Sequence, residues 1–451
     1  MRSSTITAIA TPDGLGALAV IRLSGEDSLP ICQPLCHFDL STLEPKKLTL
    51  CNLRDPSNQE FIDQVMITRM KAPDSFTGED MIEIYSHGGR LIPRTIQKLL
   101  IEQGASPADP GEFSERAVIN GKMDLLQAES INQMIQAQTM KELRLAHGNF
   151  TGLIHQDLNA IAEKIAALIT TIDASLCFPD DMIDEDLRIP EQLDEIVLQI
   201  DQLLRTGVFS RDLQKGFRIL ISGKTNVGKS SLFNTLLGWE RMKVTPYPST
   251  THDYVSEKLD LDGFPVYLID SAGWIEDPGH LDKIFNESIE QLLCSSFLVL
   301  FVIDLTDVKD FDRSLLERYK HQNLILVFNK LDLAGNLTDE VIKQFPSEIP
   351  KIIVSTQTRE GISALVSVIA EKLKQNEPED IYYLINERQN LLLFSLQRIF
   401  KNIKNFPNME GQLDMIRFEL KEAIHILEEI KGDQVSEEIY KQIFARFCIG
   451  K

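Results

Sequence analysis

The apolar positions of this chain change their spacing twice. Up to about residue 118 they alternate in short runs, and Thr5–Thr11, Ala17–Ser24, Phe61–Met70 and Met81–Ser86 read as strands. Pro12-Asp-Gly-Leu-Gly16 separates the first two, and Leu91–Gln103 reads as a helix with Pro93 tolerated in its first turn. From about 119 to 212 the spacing becomes helical, as in Gln192–Leu204, where Leu193, Ile196, Val197, Ile200, Leu203 and Leu204 recur at three and four. Residues 213–375 then alternate continuous apolar runs with helical ones, which implies a largely parallel sheet covered by helices. After Pro378 the helical spacing returns over Ile381–Asn405 and Leu413–Lys431. The expected fold is multidomain: an α+β domain over 1–118, then a discontinuous α-helical domain over 119–212 and 376–451. An α/β domain over 213–375 would be inserted into it, with hinges near Thr206-Gly207 and Asn376-Glu-Pro378.

Length and charge narrow the class. The 451 residues suit two to four domains, and 43% hydrophobic residues give ample core material. The net charge is −21, with 67 acidic against 46 basic residues, which argues against gripping nucleic acid by bulk electrostatics. RNA contact would need a local patch or a basic partner. The 6 cysteines show neither Cys-x-x-Cys pairing nor zinc spacing, so reduced thiols are expected. No basic-then-apolar leader or long apolar run is seen, so a cytoplasmic protein without a stable membrane anchor is expected.

The candidate chemistry begins at residues 223–230, Gly-Lys-Thr-Asn-Val-Gly-Lys-Ser. The strand-like Phe217–Ser222 precedes it and the helical Ser231–Leu237 follows, which is the context a phosphate-binding loop requires. Asn226, Val227, Gly228 and Ser231 would turn backbone N–H groups toward phosphates. Lys229 would place a charge on the β- and γ-phosphates, and the Ser230 hydroxyl would ligate Mg²⁺. Asp270-Ser271-Ala272-Gly273 ends a second strand, Val266–Ile269, with Asp270 placed to hold Mg²⁺ through water and Gly273 to sense the γ-phosphate. Thr250 and Thr251 are the candidates for a switch threonine over Mg²⁺. Asp262-Gly263 joins Val255–Leu261 to Pro265–Asp270 as a hairpin.

Base choice is written into Asn329-Lys330-Leu331-Asp332, which follows the strand-like Leu324–Phe328. The Asp332 carboxylate can accept from guanine's N1–H and exocyclic amine, whereas adenine presents a lone pair at N1. GTP is therefore the expected nucleotide and a P-loop GTPase (Ras-like) the expected α/β domain. Ser355-Thr356, after Ile352–Val354, would supply a last loop at the base. Two positions lack the usual helpers of hydrolysis. Trp274 stands where many small GTPases keep a water-orienting Gln, and His252 supplies no arginine finger.

Outside these motifs the chain carries Ala10–Gly16 with Ile21-Arg22-Leu-Ser-Gly25, Ser75–Glu83 with Ser86-His-Gly-Gly89, Pro110–Ala117, Asn120–Asp124 and a Cys448-Ile-Gly-Lys451 end. With the GTP motifs, they resemble the bacterial tRNA-modification GTPase family called MnmE or TrmE, over the whole chain. The resemblance implies an N-terminal domain that forms a homodimer and binds a tetrahydrofolate one-carbon donor, 5-formyl- or methylene-tetrahydrofolate, at Arg22, Glu83, Lys122 and Lys451. It implies K⁺ in place of an arginine finger, held by Asn226, Thr245, Tyr247 and Thr250, with Mg²⁺ on Ser230 and Thr251. It also implies an FAD-containing partner of the MnmG (GidA) type, in a heterotetramer or larger assembly. That complex would meet tRNA and install an aminomethyl-type or carboxymethylaminomethyl group at C5 of the wobble uridine. Cys448 matches the family's C-terminal thiol, a catalytic candidate. The family's water-orienting Glu corresponds to Asp282 here, one methylene shorter, and its Arg after the switch threonines corresponds to His252. A GTP-dependent switch in ribosome assembly is the alternative, although no basic RNA-binding appendage accompanies the GTP motifs.

Overall fold

The structure is a computed structural model that describes residues 4–177, 188–241, 256–271, 292–293, 295–308, 316, 319, 323–334, 342–407, 410–433, 435–447 and 449–450. The chain divides into two compact units. One comprises 1–136, 147–193 and 398–451, the other 137–146 and 194–397.

The first unit is built on six strands: β1 (Ile6–Ile9), β2 (Leu18–Ser24), β3 (Thr49–Arg54), β4 (Phe61–Met70), β5 (Met81–His87) and β6 (Ser106–Pro107). Their order is β3-β4-β5-β2-β1-β6, antiparallel throughout except for β1 with β6. Period-two patterning decides the two faces. Ile21, Leu23, Val65, Ile67, Ile82 and Ile84 share one core with Ile96, Leu99 and Leu100 of the helix Leu91–Glu102. Each such buried side chain stabilises the fold by about 1.5–3 kcal/mol. The alternate positions Arg22, Glu83 and Tyr85 are only partly buried. The same unit holds the long helices Leu153–Cys177 and Leu413–Lys431, which pack together and are joined by Arg417 and Asp173 at 3.1 Å.

The second unit carries β7 (Phe217–Gly223), β8 (Ser256–Leu261), β9 (Phe264–Asp270), β10 (Leu298–Asp304), β11 (Leu324–Asn329) and β12 (Lys351–Ile353). Their order is β12-β11-β10-β7-β9-β8, parallel apart from the β8–β9 hairpin. Asp262 (φ 55°) and Gly263 (φ 88°) make its turn, as Asp-Gly predicts. Strands β10 and β11 are buried along almost their whole length, which gives the continuous apolar reading of a parallel interior.

Two expectations needed correction. Thr206-Gly207 is no hinge: the helix Ile189–Lys215 runs through it unbroken. Gly207 packs closely against Asn390, since a Cβ there would lie 2.2 Å from its Oδ1. The helix expected from Ile381 starts only at Glu387. Asn386 and Gln389 form a reciprocal cap there, Gln389 N donating to Asn386 Oδ1 at 2.9 Å and Asn386 N to Gln389 Oε1 at 3.0 Å.

Candidate functional site

Chain order places the site. After β9 on one side of β7, the chain crosses to β10 on the other, and this reversal opens a crevice beyond the strands' carboxyl ends. Four strands finish there, on Gly223, Asp270, Asp304 and Asn329. From Gly223 the phosphate loop turns into the helix Lys229–Arg241. Asn226 (φ 65°) and Gly228 (φ 98°) are left-handed, and a Cβ on Gly228 would lie 2.2 Å from Asn329 Nδ2. That amide instead donates to the Val227 carbonyl at 3.0 Å, stapling the loop to β11.

Lys229 is 7% exposed, and its ammonium donates to the Lys224 carbonyl at 2.7 Å. Burial holds its pKa below the ordinary lysine range, while the Asp270 carboxylate opposes that shift. The Ser230 hydroxyl donates to Asp270 Oδ2 at 2.7 Å. Asp270 Oδ1 is buried without a hydrogen-bond partner among the described residues. A desolvated ammonium, a hydroxyl and an orphaned carboxylate oxygen at a helix N-terminus fit a phosphate chain with a hard divalent cation. Ser271 ties back to the Ile221 carbonyl through Oγ at 2.8 Å and holds the strand end. Ser231 is exposed on the first helical turn.

The base-reading residues converge on the same edge. Asn329 Oδ1 accepts from Thr356 N at 3.3 Å, and the exposed Asp332 accepts from Ser355 Oγ at 2.6 Å. Ser355 also accepts from Thr358 N at 3.1 Å, which fixes the hydroxyl aiming Asp332. Lys330 is paired with Asp304. Thr245, Tyr247, Thr250, Thr251, His252, Ala272, Gly273, Trp274 and Asp282 lie outside the described residues, as do Cys448 and Lys451.

In the first unit, β2–β5 register sets Arg22 opposite Glu83. Arg22 Nε donates to Glu83 Oε1 at 2.9 Å, and Nη1 donates to the Gly450 carbonyl at 3.1 Å, so the C-terminal tail reaches this residue. Tyr85 donates to Glu83 Oε2 at 2.6 Å, and burial with that neighbour pushes the phenol up to about 12. The Arg22 guanidinium stands 5.7 Å from the centre of the Phe76 ring. These contacts use two of the five donors an arginine carries, so Arg22 can still receive an anionic ligand. Lys122 donates to the Pro73 carbonyl at 2.8 Å.

Comparison with known proteins decides the family. Residues 5–122 match the model of the GTP-binding protein TrmE N-terminus, and residues 125–448 match the MnmE helical domain. The tRNA modification GTPase MnmE of Pseudothermotoga lettingae is 33% identical over 99% of both chains. That of Desulforamulus reducens is 34% identical over 100% of both. The chain belongs to the MnmE family. It is a GTPase involved in tRNA modification. Among solved structures, Era in complex with MgGDPNP and a 16S ribosomal RNA segment is 26% identical. It covers 41% of this chain and 66% of its own, at a TM-score of 0.31, too low to carry an argument.

Several stretches that mark the MnmE resemblance spend their polar groups on one another. Arg116 donates through Nη1 to Glu79 at 3.1 Å and through Nη2 to Glu112 at 2.9 Å and the Ser4 carbonyl at 2.9 Å. Ser24 donates to Glu79 at 2.7 Å, Asn120 to the Thr77 carbonyl at 2.7 Å, and Asp109 N to Glu112 at 2.8 Å. This clasp welds Ser75–Glu83 to Pro110–Ala117 and Asn120. Sequence reasoning missed Tyr85, Phe76 and Asp304. Asp304 was within reach, since it ends the apolar run Leu298–Ile303 just as Asp270 and Asn329 end theirs.

Proposed function

We propose that the crevice beyond β7, β9, β10 and β11 binds and hydrolyses GTP, and that the 213–375 segment is a GTPase domain inserted between helical segments 119–212 and 376–451. The orphaned Asp270 Oδ1 beside Ser230 and Lys229 carries this reading. Lys229 neutralises the β- and γ-phosphates from a desolvated position, where its charge acts at full strength. Asp332, held by Ser355, accepts from the guanine edge. Mg²⁺, when bound, supplies positive charge to the phosphate oxygens; Ser230 and Thr251 would hold it directly and Asp270 through water. K⁺, when bound, offsets charge that develops between the β- and γ-phosphates; Asn226, Thr245, Tyr247 and Thr250 would hold it. Asp282 would orient water.

We further propose that Arg22, Glu83, Lys122 and Lys451 bind a tetrahydrofolate one-carbon donor, with Arg and Lys suiting its glutamate carboxylates and Glu83 its pterin edge. As a homodimer with an FAD-carrying partner of the MnmG type, the chain would modify C5 of the wobble uridine in certain tRNAs, in the cytoplasm. The partner would carry most of the basic tRNA surface, which accords with the net charge of −21 here. Cys448 would act at the tail that Gly450 brings to Arg22.

Two assays on the full chain test this. Hydrolysis should be several-fold faster in KCl than in NaCl, and equal rates would remove K⁺. 5-Formyltetrahydrofolate should bind the wild type and bind Arg22→Met at least about 10-fold more weakly, the loss of one charged hydrogen-bonded contact. Equal affinity would remove the folate assignment and leave the GTP site standing.

A further inference from the structure

Three of the four strand ends in the nucleotide crevice have assigned roles, and the fourth is Asp304. It closes β10 directly opposite Asn329, and Leu305 N donates to the Asn329 carbonyl at 3.1 Å. Its side chain is 12% exposed, yet both oxygens are engaged. Oδ1 accepts from Thr306 N at 2.9 Å and Thr306 Oγ1 at 2.6 Å, so the carboxylate cannot swing. Oδ2 accepts from Lys330 Nζ at 2.5 Å. Burial pushes the Asp304 carboxyl up, but hydrogen bonds from Lys330 and Thr306 outweigh it and hold the group below its ordinary range.

Lys330 needs such an anchor. Its φ is 66°, a left-handed conformation that is strained for a non-glycine residue and persists only where surroundings enforce it. Each polar residue of the Asn329–Asp332 turn is tied to a different neighbour. Asn329 is tied to the Val227 carbonyl of the phosphate loop, Asp332 to Ser355, and Lys330 to Asp304.

We propose that Asp304 is a positioning residue for guanine recognition: by anchoring the Lys330 ammonium it fixes the turn that aims the Asp332 carboxylate at the base edge. This rests on the reading of Asp332 as the group that meets guanine. Asp304 touches no part of the base and acts through Lys330.

The test compares GDP with inosine diphosphate, which lacks the exocyclic amine, by calorimetric titration of the full chain. The GDP-to-IDP affinity ratio isolates the aim of Asp332, since both ligands present the same phosphates. Asp304→Asn and Lys330→Met should each lower that ratio about 5- to 10-fold, roughly the discrimination of one hydrogen bond to a charged group. The double variant should lose no more than either single one, because the two act as a unit. Asp304→Glu, which keeps the charge, should recover part of the ratio. A wild-type ratio in Asp304→Asn and in Lys330→Met, with only a lowered Tm, would overturn the proposal and leave the pair structural. Should Asp304→Asn not fold, Lys330→Met alone decides. Asp332→Ala separates the two levels: an unchanged ratio there overturns the base reading itself. A lowered ratio there beside unchanged Asp304→Asn overturns the positioning role alone.

Discussion

Among the described residues the two sheets have six strands each and use their polar residues differently. In the first, Glu79, Glu112, Arg116, Ser24 and Thr77 close on one another at 2.7–3.2 Å. In the second, Asp270 at the end of β9 stays incompletely met, whereas Asp304 and Asn329 at the ends of β10 and β11 are engaged. Asp270 Oδ1 has no partner among the described residues, and Asp332 is exposed. A charged motif therefore says little until its valences are counted: the closed cluster around Arg116 holds a fold, and the open Asp270 beside Lys229 and Ser230 fits a ligand. The antiparallel sheet reaches closure where the end of β2, the loop before β5 and the helix Glu112–Ile119 meet. In the parallel sheet the ends of β10 and β11 close through Asp304, Lys330 and Asn329, while the end of β9 stays open at Asp270 Oδ1 among the described residues.

The contrast is sharpest at Arg116. Arg116→Met leaves Glu79 and Glu112 without their cation, and a loss of about 3–5 kcal/mol is expected by denaturant titration. Hydrolysis per folded molecule should survive, and a change in it with stability intact would place Arg116 in the chemistry. Lys229→Met is the counterpart in the open cluster. Turnover should fall about 100- to 1,000-fold, the order seen when one charge-stabilising donor is removed, with little change in Tm. A large drop in Tm with residual turnover would reverse the roles assigned to the two clusters.

Lys141 asks whether the second unit also keeps structural charges apart from its site. Its ammonium stands 3.8 Å from the centre of the Phe264 ring and pairs with Glu377, at the β8–β9 hairpin. Lys141→Met should cost about 1–2 kcal/mol of stability and leave the KM for GTP unchanged. A raised KM would join hairpin and crevice. The smallest effect belongs to Glu142, 3% exposed, which accepts from Gln138 N while its own N donates to Thr139 Oγ1 at 3.2 Å in a capping box. Burial raises its carboxyl pKa, partly offset by the Gln138 and Thr139 backbone N–H groups and by Lys258. A carboxyl raised in the folded state costs stability as pH climbs through its ordinary value toward the folded one. Glu142→Gln should therefore gain up to about 1 kcal/mol relative to wild type at pH 8 and nothing at pH 4. A gain of equal size at both values would remove burial of charge as the cause.

Much of the second sheet was legible because its pattern and its chemistry coincide. Apolar runs end on Gly223, Asp270 and Asn329, and the structure gathers those ends. Strand β10 carries the same signature ending on Asp304, but no motif drew attention to it. The first sheet was harder. The strand Thr49–Arg54 mixes Thr, Asn and Arg with Leu and Cys in a six-residue run that does not stand out from its surroundings, and Ser106–Pro107 is too short to show a period. The hinge at Thr206-Gly207 failed because a glycine that makes room for Asn390 has the same letter as one that breaks a helix. Arg22 and Glu83 were legible only through family resemblance. Their meeting with Tyr85 and Gly450 depends on register and on a tail distant in sequence.

The most direct test of the whole account is mass spectrometry of tRNA nucleosides from cells depleted of this chain and complemented with wild type or Lys229→Met. The account predicts that C5-modified wobble uridines disappear on depletion, return with wild type, and stay absent with Lys229→Met. Unchanged nucleosides on depletion, or full recovery with Lys229→Met, would contradict the coupling of GTP hydrolysis in the crevice to tRNA modification.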